Sequence, residues 1–205
     1  MTTETAPYRV IREATDYELR EYAPQLAAET IVGGDFDAAA SVGFSRLAGY
    51  IFGKNKGQRT IAMTSPVTQR GVVIAMTTPV IQARADGRNG YLVRFTMPAA
   101  LTRASLPEPL DGNISIVELP SRRVAAHGFS GMWSDRNFDT HRATLRAALV
   151  RDHLVAVGEP EVARYDPPWT LWFLRRNEIL FDVAGAVGSV AEPRYAGAVS
   201  QTRGT

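Results

Sequence analysis

One order of elements occurs twice along the chain, and this repeat constrains the fold more than any other feature of the sequence. Strands are predicted near 17–22, 26–32, 60–68, 72–82 and 91–97 in the first half, and near 114–119, 124–129, 161–165 and 178–183 in the second. Each half also has one predicted helix, over about 37–52 and 137–152. Both halves therefore contain the order strand, strand, helix, strand, strand, and the first half has one further strand. Such units can bury two helices against a shared antiparallel sheet system, so we predict an α+β fold of duplicated ββαββ units with pseudo-twofold symmetry.

Each predicted helix has one apolar side and is followed by a glycine. The buried side is predicted to consist of Phe44, Leu47 and Ile51 in the first helix, and of Phe138, Leu145 and Leu149 in the second. Gly53 is placed to form a left-handed C-terminal cap after the first helix, and Gly158 is predicted to end the second helical element.

The repeat also defines the domain organisation. A Pro-rich linker over 98–112 separates two halves, at about 8–98 and 113–183, which together form one domain over 8–183. Residues 1–7 are predicted to be a flexible N-terminal tail. Residues 184–205 are rich in Ala, Gly, Ser and Val without a helical or strand period, which is typical of a disordered C-terminal tail.

Composition excludes several classes of site. The chain has no cysteine, which excludes disulfides, zinc–thiolate sites, iron–sulfur clusters and a cysteine nucleophile. Its three histidines argue against a histidine-rich metal centre. The net charge is +2 and the arginines are scattered, so we expect no nucleic-acid partner. There is no G-x-S-x-G, H-E-x-x-H or P-loop motif, and we therefore predict a protein that is not an enzyme.

The N-terminus and the hydropathy pattern bear on location. No run approaches 18 uninterrupted apolar residues, so no membrane span is expected. The first ten residues have neither a basic segment nor an apolar segment of the kind found in signal peptides. A cytoplasmic location is the expectation from these patterns.

A local duplication is the most informative short motif. Residues 61–67 are IAMTSPV and residues 74–80 are IAMTTPV. Met63 and Met76 can offer two soft, adaptable side chains to one apolar ligand site. Methionine is also a common core filler, so the alternative that both simply occupy the core remains open.

The motifs as a set resemble the SOUL family, also called the haem-binding protein family. They are YELREY (17–22), GFSRLAGYIFGKN (43–55), IAMTSPV (61–67), the prolines Pro107 and Pro109, FSG (129–131), YDPPW (165–169) and RRNE (175–178). The resemblance implies a twisted, barrel-like arrangement of two antiparallel sheets with two helices. It also implies binding of haem or other tetrapyrroles, chiefly through an apolar surface.

The resemblance places the tetrapyrrole against the first helix and the loop between the last two strands. On that helix, small residues let a planar ligand approach the backbone; together with one aromatic residue they form a stripe of Ser41, Ser45, Ala48, Gly49 and Phe52. The loop consists of Pro167, Pro168, Trp169, Thr170, Leu171 and Trp172, whose indole planes stack well on macrocycles. Two alternatives remain open. In the first, the stripe is a solvent face or a site of close helix–sheet packing. In the second, the tryptophans fold back onto the core.

Neither an iron ligand nor a propionate partner can be carried over from the family. Some members have a histidine in the first-strand motif, where this chain has Glu21, a poor partner for haem iron. The basic positions proposed to meet the propionates fall at Ser41, Gly49 and Thr170. Substitutes for them are Arg46, Lys54 and Lys56. The metal ligand is therefore unassigned, and the binding is expected to be weak and reversible.

The three histidines are not assigned as ligands. We interpret His127 as a partly exposed strand residue, His141 as a hydrogen-bonded residue at the border of the apolar stripe, and His153 as a cation at the end of the second helix. Glu178 follows two arginines, a pattern that favours a buried ion pair.

These interpretations predict a carrier or buffer that binds haem or a related tetrapyrrole. The expected partner is a small hydrophobic planar ligand; protein partners are unassigned. Two alternatives are an effector-binding module for other bulky hydrophobic ligands and a non-catalytic interaction protein. Dismantling of haem remains open as an activity, but it requires bound iron and a redox partner.

Overall fold

The computed structural model describes residues 4–72, 90–166 and 169–184. Its helices are α1 (Phe36–Ile51) and α2 (Asp135–Arg151), and a short 3-10 helix spans Trp172–Leu174. Its strands are β1 (Glu4–Thr5), β2 (Tyr8–Glu13), β3 (Glu18–Tyr22), β4 (Gln25–Gly33), β5 (Thr64–Ser65), β6 (Val67–Val72), β7 (Gly90–Thr96), β8 (Ser115–Leu119), β9 (Arg122–Phe129), β10 (Ala156–Arg164) and β11 (Asn177–Val183). Four predictions lie outside the described residues: nearly all of the strand near 72–82, Met76 with its motif 74–80, Pro167 with Pro168, and the C-terminal tail beyond Ala184.

Nine strands form one continuous antiparallel sheet in the order β2-β3-β9-β11-β10-β6-β7-β4-β8. Apart from the added edge strand β2, this order is a palindrome centred between β10 and β6, in which β3, β9, β11 and β10 correspond to β8, β4, β7 and β6. The predicted α+β class, with two helices on a twisted antiparallel sheet, is confirmed. The two expected sheets are joined into one because β10 pairs with β6 across the centre.

The sheet order exchanges strands between the two predicted units. The first unit consists of β3, β4, α1, β6 and β7, and the second of β8, β9, α2, β10 and β11. β3 does not pair with β4 of its own unit but with β9 of the second, and β8 pairs with β4 of the first. Each half of the sheet is therefore completed by a strand from the other unit.

Each helix packs on its own half of the sheet. Leu47, Tyr50 and Ile51 of α1 join a core cluster with Val93 and Phe95 of β7. The approach is close at Gly43, where an added Cβ would lie 2.5 Å from Cγ2 of Val93. α2 buries its side in a second cluster, and there the predicted residues Phe138, Leu145 and Leu149 are confirmed as buried.

The helix boundaries follow local capping chemistry. Oδ1 of Asp35 accepts a hydrogen bond from the Ala38 amide, and Oγ of Ser134 accepts one from the Asn137 amide. α1 ends at Ile51, and the predicted glycine cap is confirmed, with Gly53 at φ 111°. The prediction that Gly158 ends the second element is wrong. α2 ends instead at Arg151, and Gly158 lies inside β10 where the register with β11 shifts.

Two further predictions need correction. Phe44 is 40% exposed rather than buried, because α1 rests on the sheet through the line of Phe36, Gly43 and Leu47, which leaves the Phe44 ring at the border, against Phe95. The N-terminal tail is not loose over residues 4–6. β1 pairs in parallel with β5, and Ala6 is buried beside it.

Candidate functional site

The apolar loop, defined as residues 169–174, connects β10 to β11 and is the most exposed apolar segment of the described chain. Trp169 is 83% exposed and Trp172 is 55% exposed, so the alternative that these tryptophans fold back onto the core is wrong. Leu171, Phe173 and Leu174 are also more than half exposed. Contiguous exposed apolar side chains of this kind usually mark a site of interaction.

The apolar loop is held in place despite its exposure. The Gly131 amide donates a hydrogen bond to the Trp172 carbonyl oxygen (3.1 Å), and Nε of Arg175 donates one to the Thr170 carbonyl oxygen (2.8 Å). The Arg175 guanidinium also lies over the Trp133 ring, 4.3 Å from its centroid. These contacts fix the loop against the connection between β9 and α2.

Sequence reasoning missed three residues of this surface. Phe173 and Leu174 extend the apolar run beyond Trp172, and Met132 is exposed beside Gly131 on the adjoining connection. The Met132 backbone is fixed, since its carbonyl oxygen accepts a hydrogen bond from Nδ2 of Asn137. The uncharged run from Trp169 to Leu174 is a signal that could have included the first two. No local pattern marks Met132.

The helix stripe, defined as Ser41, Ser45, Ala48, Gly49 and Phe52, lies on the outer side of α1. Ser41, Ser45 and Phe52 are exposed, and Ala48 and Gly49 are half-buried. The alternative of close helix–sheet packing applies instead to Gly43, on the opposite side. Asp37 precedes Ser41 by one turn, and its Oδ1 lies 3.9 Å from Nη2 of Arg164, at the end of β10.

The Asp37–Arg164 contact places the N-terminal end of the stripe near β10, the strand that precedes the apolar loop. None of the hydrogen bonds or ring contacts of residues 169–174 reaches the stripe itself in the described structure. The predicted residues therefore form two neighbouring surfaces rather than one closed pocket.

A shallow cavity of about 280 Å³ adjoins the stripe at Ser45. It is lined by Val42, Ser45, Arg46, Tyr50, Lys54, Asp111 and Ile114. Of the three proposed substitute cations, Arg46 is bound to Asp111 and Thr30, and Lys56 is paired with Glu108. The Lys54 side chain forms no ion pair with the described residues, and its Cδ would lie 3.0 Å from a Cβ added to Gly49. The Lys54 stem therefore lies over Gly49.

A larger cavity of about 380 Å³ lies elsewhere, at the ends of β4 and β7. Its lining includes Leu26, Met97 and Leu101 but none of the predicted site residues. Met63 lines neither cavity. It is partly buried against the core cluster of Leu47 and Tyr50, as the core-filling interpretation expects.

Glu21 is engaged by arginines. Its Oε2 accepts a hydrogen bond from Nη2 of Arg9 at 2.6 Å, and Nε of Arg123 lies 3.8 Å from Oε1. The hydrogen bond and charge of Arg9 lower the pKa of this carboxyl group. Glu21 is therefore ion-paired at the surface.

The histidines occupy different environments. Nδ1 of His127 lies 2.5 Å from the Asp16 carbonyl oxygen, and its Nε2 lies 2.9 Å from Nδ1 of His141. The Phe129 ring stacks on His141 at a centroid distance of 3.9 Å. His153 is exposed and has φ 56°, just beyond the end of α2. Sequence reasoning missed the contact between the first two histidines.

The acidic motif residue Glu178 belongs to a buried network, so the predicted ion pair is confirmed. Arg20 and Arg176 donate hydrogen bonds to its carboxylate, as does the Tyr165 hydroxyl. Burial alone raises the pKa of Glu178, but these hydrogen bonds and the Arg20 charge outweigh it and hold the pKa below its usual range.

The described residues contain neither a metal-binding cluster nor a membrane-spanning helix. In residues 4–72, 90–166 and 169–184, no three His, Asp or Glu side chains converge into a metal-binding cluster. Over the same ranges, neither helix combines the length and the apolar character needed to cross a bilayer.

Comparison with known proteins gives a match over nearly the whole chain. A family model described as SOUL heme-binding protein matches residues 3–182. Heme-binding protein 2 of Mus musculus is 26% identical over 188 residues, which cover 87% of each chain. Heme-binding protein 1 of Xenopus laevis is 29% identical over 171 residues, which cover 83% of this chain and 85% of that one.

Solved structures share the fold at low identity. The crystal structure of the EcmrR C-terminal domain superposes with a TM-score of 0.57 at 12% identity, covering 87% of this chain and 99% of that one. A likeness at this identity shows the fold alone.

Proposed function

Because the chain belongs to the SOUL heme-binding protein family, we propose that it binds haem or a related tetrapyrrole weakly and reversibly, as a cytoplasmic carrier or buffer. The ligand is a small hydrophobic planar molecule, and the role is binding rather than catalysis. The apolar loop and the helix stripe form the binding surface.

The observation that carries this proposal is the exposure of the apolar loop. Trp169 and Trp172 hold their indoles in solvent on a backbone fixed by Gly131 and Arg175. A macrocycle that stacks on an indole removes apolar surface of both partners from water. The residue types fit a porphyrin, since the loop supplies aromatic planes and the neighbouring stripe supplies small side chains.

The stripe provides the second wall in this proposal. Ser41 and Ser45 present little side-chain volume, so the face of a planar ligand can approach α1 closely there, whereas Gly49 lies under the Lys54 stem. The contact between Asp37 and Arg164 supports this arrangement, because it holds the N-terminal end of the stripe close to the end of β10, which leads into the loop. Met63 and Met76 remain predicted contacts.

A tetrapyrrole with propionate groups also needs a cation. Lys54 serves this purpose in the proposal, because its stem crosses Gly49 and its ammonium forms no ion pair with the described residues. Arg46 and Lys56 are already paired with carboxylates. Lys54 therefore replaces the basic residue that the family places at position 49.

The expected affinity follows from the area of the ligand. Burying on the order of 400 Å² of apolar surface at about 25 cal/mol per Å² yields roughly 10 kcal/mol. Association costs about 4 kcal/mol or more. The remainder corresponds to dissociation constants of roughly micromolar to tens of micromolar, which suits a carrier better than a permanently loaded haemoprotein.

Titration of the protein with haemin and with metal-free protoporphyrin tests the proposal. Two of the three tryptophans lie in the apolar loop, so ligand stacking there is expected to quench most of the intrinsic fluorescence. The double variant Trp169→Ser/Trp172→Ser is expected to weaken both ligands, as followed by the Soret band. Leu110→Ser is the matched control, because Leu110 is also more than half exposed but lies on the linker.

A second variant tests the helix wall. Ser45→Trp fills the space beside the stripe and is expected to block the ligand, whereas Ala147→Trp, at an exposed position of α2, is expected to leave binding unchanged. Unchanged affinity in the folded Ser45→Trp protein removes the stripe from the site. If neither porphyrin binds below about 100 μM, the haem proposal fails, and a screen of bulky hydrophobic cations tests the effector-binding alternative.

A further inference from the structure

Arg164, the last residue of β10, is a largely buried cation that forms no hydrogen bond with the described residues. Its Nε and Nη2 atoms are both buried and have no acceptor. The Oδ1 atom of Asp37 lies 3.9 Å from Nη2, which is beyond hydrogen-bond range. Buried N–H groups in folded proteins almost always have a partner, so this guanidinium is suited to an acceptor supplied by another molecule.

Aromatic rings surround the Arg164 guanidinium without satisfying its N–H groups. Its Cζ atom lies 5.0 Å from the ring centroid of Phe36, 4.9 Å from that of Trp133 and 5.5 Å from that of Phe138. Such rings attract a cation but offer no oxygen lone pair to its donors. Burial lowers the pKa of Arg164 to about 10, because the neighbouring carboxylates offset the loss of solvent only in part. The group is therefore still a cation at pH 7.

This cation lies between the two walls of the proposed binding surface. Asp37, at the N-terminal end of the stripe, is its contact on α1. Trp133 carries both Arg164 and Arg175, and Nε of Arg175 donates a hydrogen bond to the Thr170 carbonyl oxygen of the apolar loop. The charge of Arg175 also acts on Arg164 and lowers its pKa further. Two guanidinium groups therefore produce a positive potential where the stripe approaches the loop.

The other end of the stripe also has a cation. The Lys54 stem lies over Gly49, and its ammonium forms no ion pair with the described residues. Asp37 and Gly49 are both in α1, and at 1.5 Å per residue they lie roughly 18 Å apart along the helix axis. The small side chains of Ser41 and Ser45 lie between them. The helix wall thus has a positive charge at each end and room for a flat molecule in the middle.

We infer that Arg164 binds a carboxylate of the ligand at the edge opposite to the one held by Lys54, so that the site selects tetrapyrroles with acidic side chains on opposite edges. The inference rests on the proposed function and names the class of tetrapyrrole. The carboxylates of protoporphyrin lie on one edge of the macrocycle and reach only one end of the stripe. Coproporphyrin has a propionate on every pyrrole ring, and with these side chains extended it can meet both cations.

Asp37 is a weak occupant of the position that the ligand carboxylate takes. Its side chain is 71% exposed, so it can turn into solvent without losing a buried contact. A ligand carboxylate can accept two N–H groups of one guanidinium at once, which the 3.9 Å contact of Asp37 does not achieve. Asp135, in the first turn of α2, is the second acidic group whose charge acts on Arg164. Both aspartates repel an incoming anion, so removal of one is expected to strengthen its binding.

The test compares coproporphyrin, protoporphyrin and coproporphyrin tetramethyl ester, which has the same ring but no free carboxylate. Arg164→Gln removes the cation. Arg146→Gln is the matched control, because the Arg146 guanidinium also lies over an aromatic ring, 5.4 Å from the centroid of Phe181, but in the C-terminal half of α2. Tryptophan quenching and the Soret band report binding, and circular dichroism reports folding.

The wild type is expected to bind coproporphyrin about fivefold or more tightly than protoporphyrin, since it makes one further charge-assisted contact. In Arg164→Gln this preference is expected to disappear, with a much smaller change for protoporphyrin, whose carboxylates meet Lys54. The tetramethyl ester is expected to bind the wild type, Arg164→Gln and Arg146→Gln equally.

A second variant tests the same site without removing the arginine. Asp37→Asn is expected to strengthen coproporphyrin binding by up to about fivefold, the range of an exposed charge interaction, and to leave the ester unchanged. Asp139→Asn is its control, because Asp139 is also an exposed aspartate of a helix, at 66% exposure, and lies on α2. This variant decides the matter if Arg164→Gln does not fold.

Other results overturn the inference. If coproporphyrin binds no more tightly than protoporphyrin, or if Arg164→Gln weakens the ester as much as the acid, Arg164 does not bind a carboxylate and the proposed function stands. An unchanged coproporphyrin affinity in Asp37→Asn contradicts the inference in the same way. If the wild type binds none of the porphyrins, the proposed function fails as well.

Discussion

Arg20 and Glu178 form a buried two-point ion pair, with Nη1 2.7 Å and Nη2 3.0 Å from the two carboxylate oxygens. The pair joins β3, a strand of the first unit, to β11 of the second. Glu178 is only 2% exposed and also binds Arg176 and Tyr165, so every oxygen lone pair has a partner close by. The pair thus holds the exchanged strand β3 in place.

Removing one member of this pair is expected to cost much of the stability. Glu178→Ala removes the buried carboxylate and leaves the Arg20 guanidinium with Glu18 as its remaining carboxylate partner, and breaking a buried pair typically costs about 3–5 kcal/mol. Urea unfolding measures the difference. Glu108→Ala is the control, because its ion pair with Lys56 is exposed and contributes at most about 1 kcal/mol. A similar loss in both variants contradicts the prediction.

The same carboxylate is expected to make stability depend on pH. The pKa of Glu178 is lowered below its usual 4.5 in the folded protein, so the unfolded chain binds a proton more readily. Its contribution to stability is therefore present above pH 4.5 and is lost as the pH falls through the folded pKa. The check is the free energy of unfolding measured from pH 7 to about pH 3. A slope that is equally steep in Glu178→Gln assigns the effect to other groups.

Two glycines of α1 are expected to respond oppositely to alanine. In Gly43→Ala the new Cβ would lie 2.5 Å from Val93, and overpacking of this kind costs about 1–3 kcal/mol. In Gly49→Ala the new Cβ meets only the flexible Lys54 side chain, so the gain in helix propensity, up to about 1 kcal/mol, should prevail. Thermal unfolding of both variants measures the two changes in stability. Val93→Ala should partly rescue the first variant but not affect the second.

The propionate role of Lys54 can be separated from apolar binding. Lys54→Gln is expected to weaken protoporphyrin binding by up to about fivefold, the range of an exposed ion pair, with a smaller effect at high salt. The dimethyl ester of protoporphyrin lacks the carboxylates and is expected to bind both proteins equally. Lys56→Gln is the control. An equal loss for the ester, or no loss for either ligand, removes Lys54 from the site.

Sequence patterns predicted the helices well because their periodic apolar residues and nearby capping signals agree. Both helices were placed within two residues of their observed bounds, and Gly53 caps α1 as expected. β2 was missed because its side chains are nearly all exposed on an edge strand, which leaves no alternation to detect. Gly158 was misplaced because a bulge inside a strand and the end of a helix both favour glycine.

The candidate site was only partly predictable. The residue types of the loop were evident, but whether Trp169 and Trp172 are buried depends on what other elements cover them. The contact between His127 and His141 requires α2 to pack across β9, and no local spacing encodes it. The ion pair between Glu21 and Arg9 likewise depends on β2, a strand that the hydrophobic pattern of the sequence did not reveal.

The exchange of β3 and β8 between units has a consequence during synthesis. When the ribosome has produced the first unit alone, β4 still has one uncovered edge, because its partner β8 has not yet been made. β3 likewise has no β9 to join. Exposed strand edges favour pairing with other chains. We therefore expect the nascent first half to be a target for chaperones until residues 115–129 leave the exit tunnel, and the two halves to fold as one cooperative unit.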